Sequence, residues 1–182
     1  TLNVMPDIAV FGKALGNGFP ISAIIGTEKA MSAVQDTFIS STFWTERVGF
    51  VAALATLEKY EDFSVADSLI SSGKRINKIW QNAADAADID IHICGLEPLT
   101  HIDFIHEKAN YLQTIYTQEM LNRGYLLGSS IYSTYAYDDD ILDKFADDTA
   151  EVFKIIKKSI DSNNPEDFLI SEVKHSGFQR LS

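Results

Sequence analysis

The sequence has no apolar run approaching the roughly 18–20 residues of a membrane-spanning helix, so no helical span is expected. Cysteine is almost absent. The single Cys94 excludes an internal disulfide and fits a reducing, cytoplasmic setting. Basic residues are few: 15 Lys and Arg stand against 26 Asp and Glu, for a net charge of −11. No Lys/Arg cluster is able to neutralise a run of phosphates, so nucleic acid is not an expected partner. The chain opens without the basic and apolar regions of a signal peptide, and Thr1 stands where an initiator Met would. That start reads as a fragment or a processed chain. The histidines His92, His101, His106 and His175 lack metal-ligand spacing, and no metal centre is expected. Cys94, in an apolar stretch without a basic neighbour, reads as an inert core thiol.

What is present is ordinary globular composition, 46% hydrophobic and 23% charged, enough for one sizeable core or one and a half domains. Residues 7–12 are a short apolar run ending in glycine and read as a buried strand. Residues 13–20 follow as a turn punctuated by Gly16, Gly18 and Pro20. Residues 21–26 read as a second strand, Thr27 as the N-cap of a short helix through Met31 and Val34, and residues 37–42 as a third, β-branched run. Residues 46–60 carry an apolar helical stripe, and residues 65–87 form a second helical stretch. Beyond it come two alternating runs, 89–93 and 101–105, bent by Gly95 and Pro98. A helix over 108–123 ends at Gly124; residues 125–127 read as a short strand and 132–137 as a further candidate. Asp138, Asp139 and Asp140 precede a helix through Ile156, with Lys154, Lys157 and Lys158 at its other end, as the helix dipole favours. The tail beyond Asn163 has no strong pattern. The division is a first part, residues 1–62, and an α+β part, residues 63–182, led by a connector helix.

The most informative stretch runs from Pro6 to Pro20: Pro-Asp-Ile-Ala-Val-Phe-Gly-Lys-Ala-Leu-Gly-Asn-Gly-Phe-Pro. A lysine at the end of a buried strand, followed at once by a glycine turn, is where an imine-forming amine belongs. The strand fixes its position, apolar walls favour its neutral form, and small residues admit a flat cofactor. A lone lysine in a turn is also an ordinary solvated charge. Gly12-Lys13 lacks the glycine and the Ser/Thr that a phosphate-binding P-loop requires.

This run resembles the lysine motif of the class III (ω-type) aminotransferases, with Asn17 at the middle glycine of the turn. A second motif stands in register with it. Ser41-Thr42-Phe43, then Ala52-Ala53-Leu54-Ala55-Thr56-Leu57-Glu58, resembles the family's Ser/Gly-Thr followed by a helix of that pattern. The resemblance is nearest to glutamate-1-semialdehyde aminomutase-like enzymes, and the tail 175–181 is weakly similar to theirs. It implies an α/β chain that is the C-terminal portion of a fold-type I enzyme. Residues 1–62 would be part of the large mixed-sheet domain, and residues 63–182 the connector and small α+β domain.

The resemblance further implies pyridoxal 5'-phosphate (PLP) as cofactor, with Lys13 forming the internal aldimine and shuttling the proton. Ser41 and Thr42 match positions that reach a neighbouring subunit's cofactor phosphate, which implies a homodimer with the site at the interface. Plain helix capping is the alternative for both. The substrate would be a small amino/keto or amino-aldehyde compound, and the reaction transfer or 1,2-migration of an amino group. Where the family has Gly-Asn-Pro, this chain has Trp44-Thr45-Glu46-Arg47. Arg47 there either receives a substrate carboxylate or, with Glu46, starts a helix on its solvated side. The family's acidic partner for the pyridine nitrogen lies well before the lysine, whereas only twelve residues precede Lys13 here. The chain is therefore expected to be incomplete and inactive alone. A non-catalytic binding or scaffolding module descended from such an enzyme is the competing reading.

Overall fold

A computed structural model describes residues 4–175 and residue 177. It divides into two compact units, Thr1–Val65 and Ala66–Ser182.

In the first unit, β1 (Ile8–Phe11) and β2 (Ala23–Gly26) form an antiparallel pair, with Ile8 opposite Gly26 and Phe11 opposite Ala23. A 3₁₀ turn over Lys13–Leu15 follows β1. The Thr27 hydroxyl accepts from the Ala30 amide and caps α1 (Glu28–Met31), which continues as a 3₁₀ turn over Ser32–Asp36. Then comes α2 (Val48–Asp62), which buries only Gly49 and Ala53. Two expectations fail here. Residues 37–42 form no strand: Phe38 is almost wholly exposed, and among the described residues no strand pairs with this segment. The strands expected to be buried are open, with Val10 exposed to 70% and Ile24 to 58%. Both outcomes have one cause. A two-stranded ribbon with a single long helix has no second layer to cover the ribbon's faces.

The second unit contains its own core. It begins within α3 (Val65–Ala87), whose buried Ile76, Ile79, Trp80, Ala83 and Ala84 fall at helical spacing. β3 (Ile91–Leu96) and β4 (Leu99–Phe104) form a hairpin across Glu97-Pro98, and β5 (Ser130–Tyr132) pairs with β4. All pairings are antiparallel, in the order β3-β4-β5. α4 (Ala109–Asn122) and α5 (Asp139–Asp161) complete the unit and pack on each other. Phe104, Tyr116 and Phe153 meet from β4, α4 and α5 with ring centroids 5.7–6.0 Å apart.

Local chemistry sets the ends of these helices. Asp138 caps α5 by accepting the Ile141 amide at 2.9 Å, with Asp139 and Asp140 in the first turn and Lys158 in the last. α4 ends in a Schellman motif. Gly124, at φ 93°, donates to the Leu121 carbonyl, and Tyr125 donates to that of Met120. At Gly73 the hairpin turn approaches α3 so closely that an added Cβ would stand 1.7 Å from the Glu97 carbonyl oxygen.

The strand expected at 125–127 is absent. Tyr125 and Leu127 pack against the core from an irregular segment, and β4 takes its edge partner from Ser130–Tyr132 instead. Residues 133–137 are likewise irregular. Cys94 is exposed, not a core thiol, because strand alternation turns Ile91 and Ile93 towards the core and His92 and Cys94 away from it. No helix among the described residues is long and apolar enough to cross a membrane. Of the tail 175–181, residues 176 and 178–181 lie outside the described residues.

Candidate active site

Lys13 stands immediately after β1, at the first position of the 3₁₀ turn. Its φ is 50°, a left-handed conformation that costs a non-glycine residue about 1–3 kcal/mol and that surrounding structure must over-determine. The turn supplies that constraint. Leu15, Gly16 and Asn17 donate to the carbonyls of Gly12, Lys13 and Ala14, and Phe19 donates to that of Gly16. Gly16 is buried, and a Cβ there would stand 2.1 Å from the Phe19 carbonyl oxygen, so the loop closes only around glycine. Asn17, at φ 44°, occupies the middle of the turn; asparagine tolerates that region better than most residues. The backbone thus holds the Lys13 Cα tightly, while the side chain is exposed and no apolar wall from its own unit encloses it.

Ser41 and Thr42 lie in the loop leading into α2, and both are exposed. The Ser41 hydroxyl oxygen accepts the Phe43 amide at 3.3 Å, a local turn that leaves its proton free. Ser41 is therefore not a cap of α2. Among the described residues, no hydrogen bond or ion pair joins Lys13 to Ser41 or Thr42. The two motifs are connected through packing: α2 lies against the 3₁₀ turn, and a Cβ at Gly49 would come within 3.0 Å of the Pro20 carbonyl oxygen. Glu46 instead satisfies the start of α2. The Glu46 carboxylate accepts the amides of Val48 at 2.9 Å and Gly49 at 3.0 Å. Those amides, with that of Arg47, hold the Glu46 carboxyl below the usual carboxylate range. The first free N–H groups of α2 are thus committed to Glu46. Arg47 is exposed.

These residues fit a PLP site in part. An amine held by a rigid turn, and two hydroxyls on the loop leading into the helix that packs on that turn, suit an aldehyde and a phosphate.

A second group of donors lies in the other unit, and sequence spacing alone does not complete it. One ligand atom each from His92, Cys94 and Asp103 lie within 4.8 Å of one another on the outer face of the β3–β4 hairpin. Two of them are two residues apart, a signal that a strand reading of 91–96 contains; the third is supplied by hairpin register.

Comparison with known proteins agrees with the two motifs. The family model described as aminotransferase class-III matches residues 1–136. A 3-aminobutyryl-CoA aminotransferase of Cloacimonas acidaminovorans (strain Evry) is 29% identical over 116 residues, covering 63% of this chain and 28% of that protein. A glutamate-1-semialdehyde 2,1-aminomutase of Methanosphaera stadtmanae is 31% identical over 123 residues, covering 66% of this chain and 29% of that protein. The chain thus spans less than a third of the length of these relatives. The solved structure of the PLP internal aldimine form of the Sphingopyxis sp. MTA144 FumI protein superposes with a TM-score of 0.81 at 23% identity, over 92% of this chain and 41% of that one. The fold is accordingly a partial PLP fold-type I transaminase, and PLP is the cofactor to which the family points. The chain belongs to the class-III aminotransferase family.

Proposed function

We propose that this chain is part of a PLP-dependent enzyme that transfers or migrates an amino group on a small amino/keto or amino-aldehyde substrate, with Lys13 as its cofactor lysine. The observation that carries the reading is the strained, hydrogen-bonded turn that fixes Lys13 at the end of β1 within its family motif. In this reading Thr1–Val65 contributes to the large domain and Ala66–Ser182 is the small domain.

PLP, when bound, supplies an electron-withdrawing ring that makes the substrate Cα proton acidic. The remaining work falls to the chain. The ε-amine of Lys13 would hold the cofactor, and its Nζ would take the substrate Cα proton as general base and deliver it onward as general acid. Rigid backbone on both sides of Lys13 keeps that amine within reach of one atom. Ser41 and Thr42 donate hydroxyl protons to the cofactor phosphate of a neighbouring subunit. Support for a subunit contact here comes from α2 and the loop before it. Phe43, Trp44, Phe50, Val51 and Leu54 are all more than half exposed, and a contiguous apolar patch of this kind is covered in a finished assembly.

Borohydride reduction of the PLP-loaded protein, followed by peptide mapping, tests the central assignment. The cofactor becomes fixed on Lys13, and Lys13→Ala abolishes labelling. Recovery of the label on another lysine overturns the reading.

A further inference from the structure

The sheet of the second unit presents a polar outer face that amino-group transfer does not use. Strand alternation places His92 and Cys94, two residues apart on β3, on this face. Register places Asp103 opposite His92 and His101 opposite Cys94. The ring nitrogen, thiol sulfur and carboxylate oxygen of His92, Cys94 and Asp103 consequently converge to within 4.8 Å, and all three residues are exposed. Ligands around one tetrahedral ion, at bond lengths of about 2.0–2.3 Å, stand roughly 3.3–3.8 Å apart. Small rotamer changes of unburied side chains close that difference.

We propose that this hairpin face is a zinc-class metal site, with His92, Cys94 and Asp103 each supplying one ligand. The donor set selects the ion. Thiolate and imidazole favour Zn²⁺ over Mg²⁺ or Ca²⁺, which take oxygen ligands. Three protein ligands leave a fourth position open to water or an exogenous ligand. His101 is the positioning residue. Its Nε2 donates to the Asp103 carboxylate at 2.9 Å, and its Nδ1 meets the Ser130 hydroxyl at 2.9 Å. That chain from β5 through β4 fixes the ring and aims the carboxylate towards His92, as outer-shell partners do in metal centres. A chain with a net charge of −11 also raises the local concentration of cations.

Cobalt(II) titration of protein carrying the complete chain tests this. One equivalent gives a near-ultraviolet thiolate-to-cobalt charge-transfer band, and Zn²⁺ removes it. Cys94→Ser abolishes the band; His92→Ala and Asp103→Asn each weaken zinc binding at least tenfold, while His101→Ala weakens it about 10–100-fold without changing the stoichiometry. Lys13→Ala leaves the band intact, which separates this site from the cofactor assignment. Cys94 is the only cysteine. Alkylation of the unaltered protein is therefore a second readout, with zinc protecting the thiol and chelation restoring its reactivity. An absent band, a band that survives in Cys94→Ser, zinc affinity indifferent to His92→Ala and Asp103→Asn, or alkylation indifferent to zinc overturns the proposal.

Discussion

The carboxylate of Glu46 accepts the backbone amide of Gly49 at 3.0 Å, and with its second bond, to Val48, ties the loop carrying Ser41 and Thr42 to the start of α2. Gly49 is in turn the point where α2 meets Pro20, at the end of the turn that follows Lys13. One carboxylate therefore anchors the segment that connects the two family motifs.

This anchor is sensitive to acid. The amides hold the folded-state pKa of Glu46 below its ordinary 4.5. The stabilisation is present in full above that value and is lost as pH falls through the lower, folded one. Protection factors of the first amides of α2, with exchange normalised to the intrinsic rate at each pH, should fall on acidification across this range. In Glu46→Gln, exchange is already faster at neutral pH and this acid dependence disappears. Identical pH profiles for the two proteins would show that Glu46 does not hold the helix start.

Trp80 donates its indole N–H to the Tyr116 hydroxyl at 2.8 Å, with both residues wholly buried. Burial pushes the phenol well above its ordinary range, so it stays neutral at any physiological pH. Tyr116→Phe orphans the buried indole N–H, at a cost of about 1–3 kcal/mol. Trp80→Phe loses the same bond and leaves a cavity in addition. The double variant should be less destabilised than the sum of the singles, as measured by urea unfolding. Strict additivity would mean the bond contributes nothing specific.

Gly73→Ala forces a methyl group into the Glu97 carbonyl and must move α3 or the hairpin turn. Overpacking of this kind costs about 1–3 kcal/mol, more where the obstruction is backbone. The unfolding midpoint should fall accordingly, while Gly128→Ala, whose added Cβ meets nothing within 4 Å, should leave it nearly unchanged. Equal midpoints for the two variants would contradict the close approach.

The chain expressed alone should bind PLP weakly. Lys13 is exposed, and the leading amides of α2 are occupied by Glu46. Each charge-assisted bond the site lacks is worth about 1.5–3 kcal/mol, and every 1.4 kcal/mol is about tenfold in affinity. Absorbance titration should give a dissociation constant well above the micromolar range. Micromolar or tighter binding that depends on Lys13 would mean these residues build most of the site unaided.

Periodicity and local chemistry were enough to determine much of this protein. The stretch 65–87 folds as α3 over the same span, Asp138 to Asp140 start α5, and Gly124 ends α4. Helical stripes, caps and left-handed glycines depend on residues within a turn or two of each other, so sequence spacing contains them. The lysine motif and the helix motif are equally local, and together they identify the family. Tertiary structure decided the rest. Sequence treated Cys94 as buried and residues 125–127 as a strand, but which side of β3 faces the core, and which segment β4 recruits as its partner, depend on packing across the sheet. Whether Ile8–Phe11 is covered depends on layers that its own unit does not supply. His92 and Cys94 are adjacent on a strand face by alternation alone, yet Asp103 joins them only because the Glu97-Pro98 turn sets the hairpin register. A shift of one residue would have turned it to the opposite face.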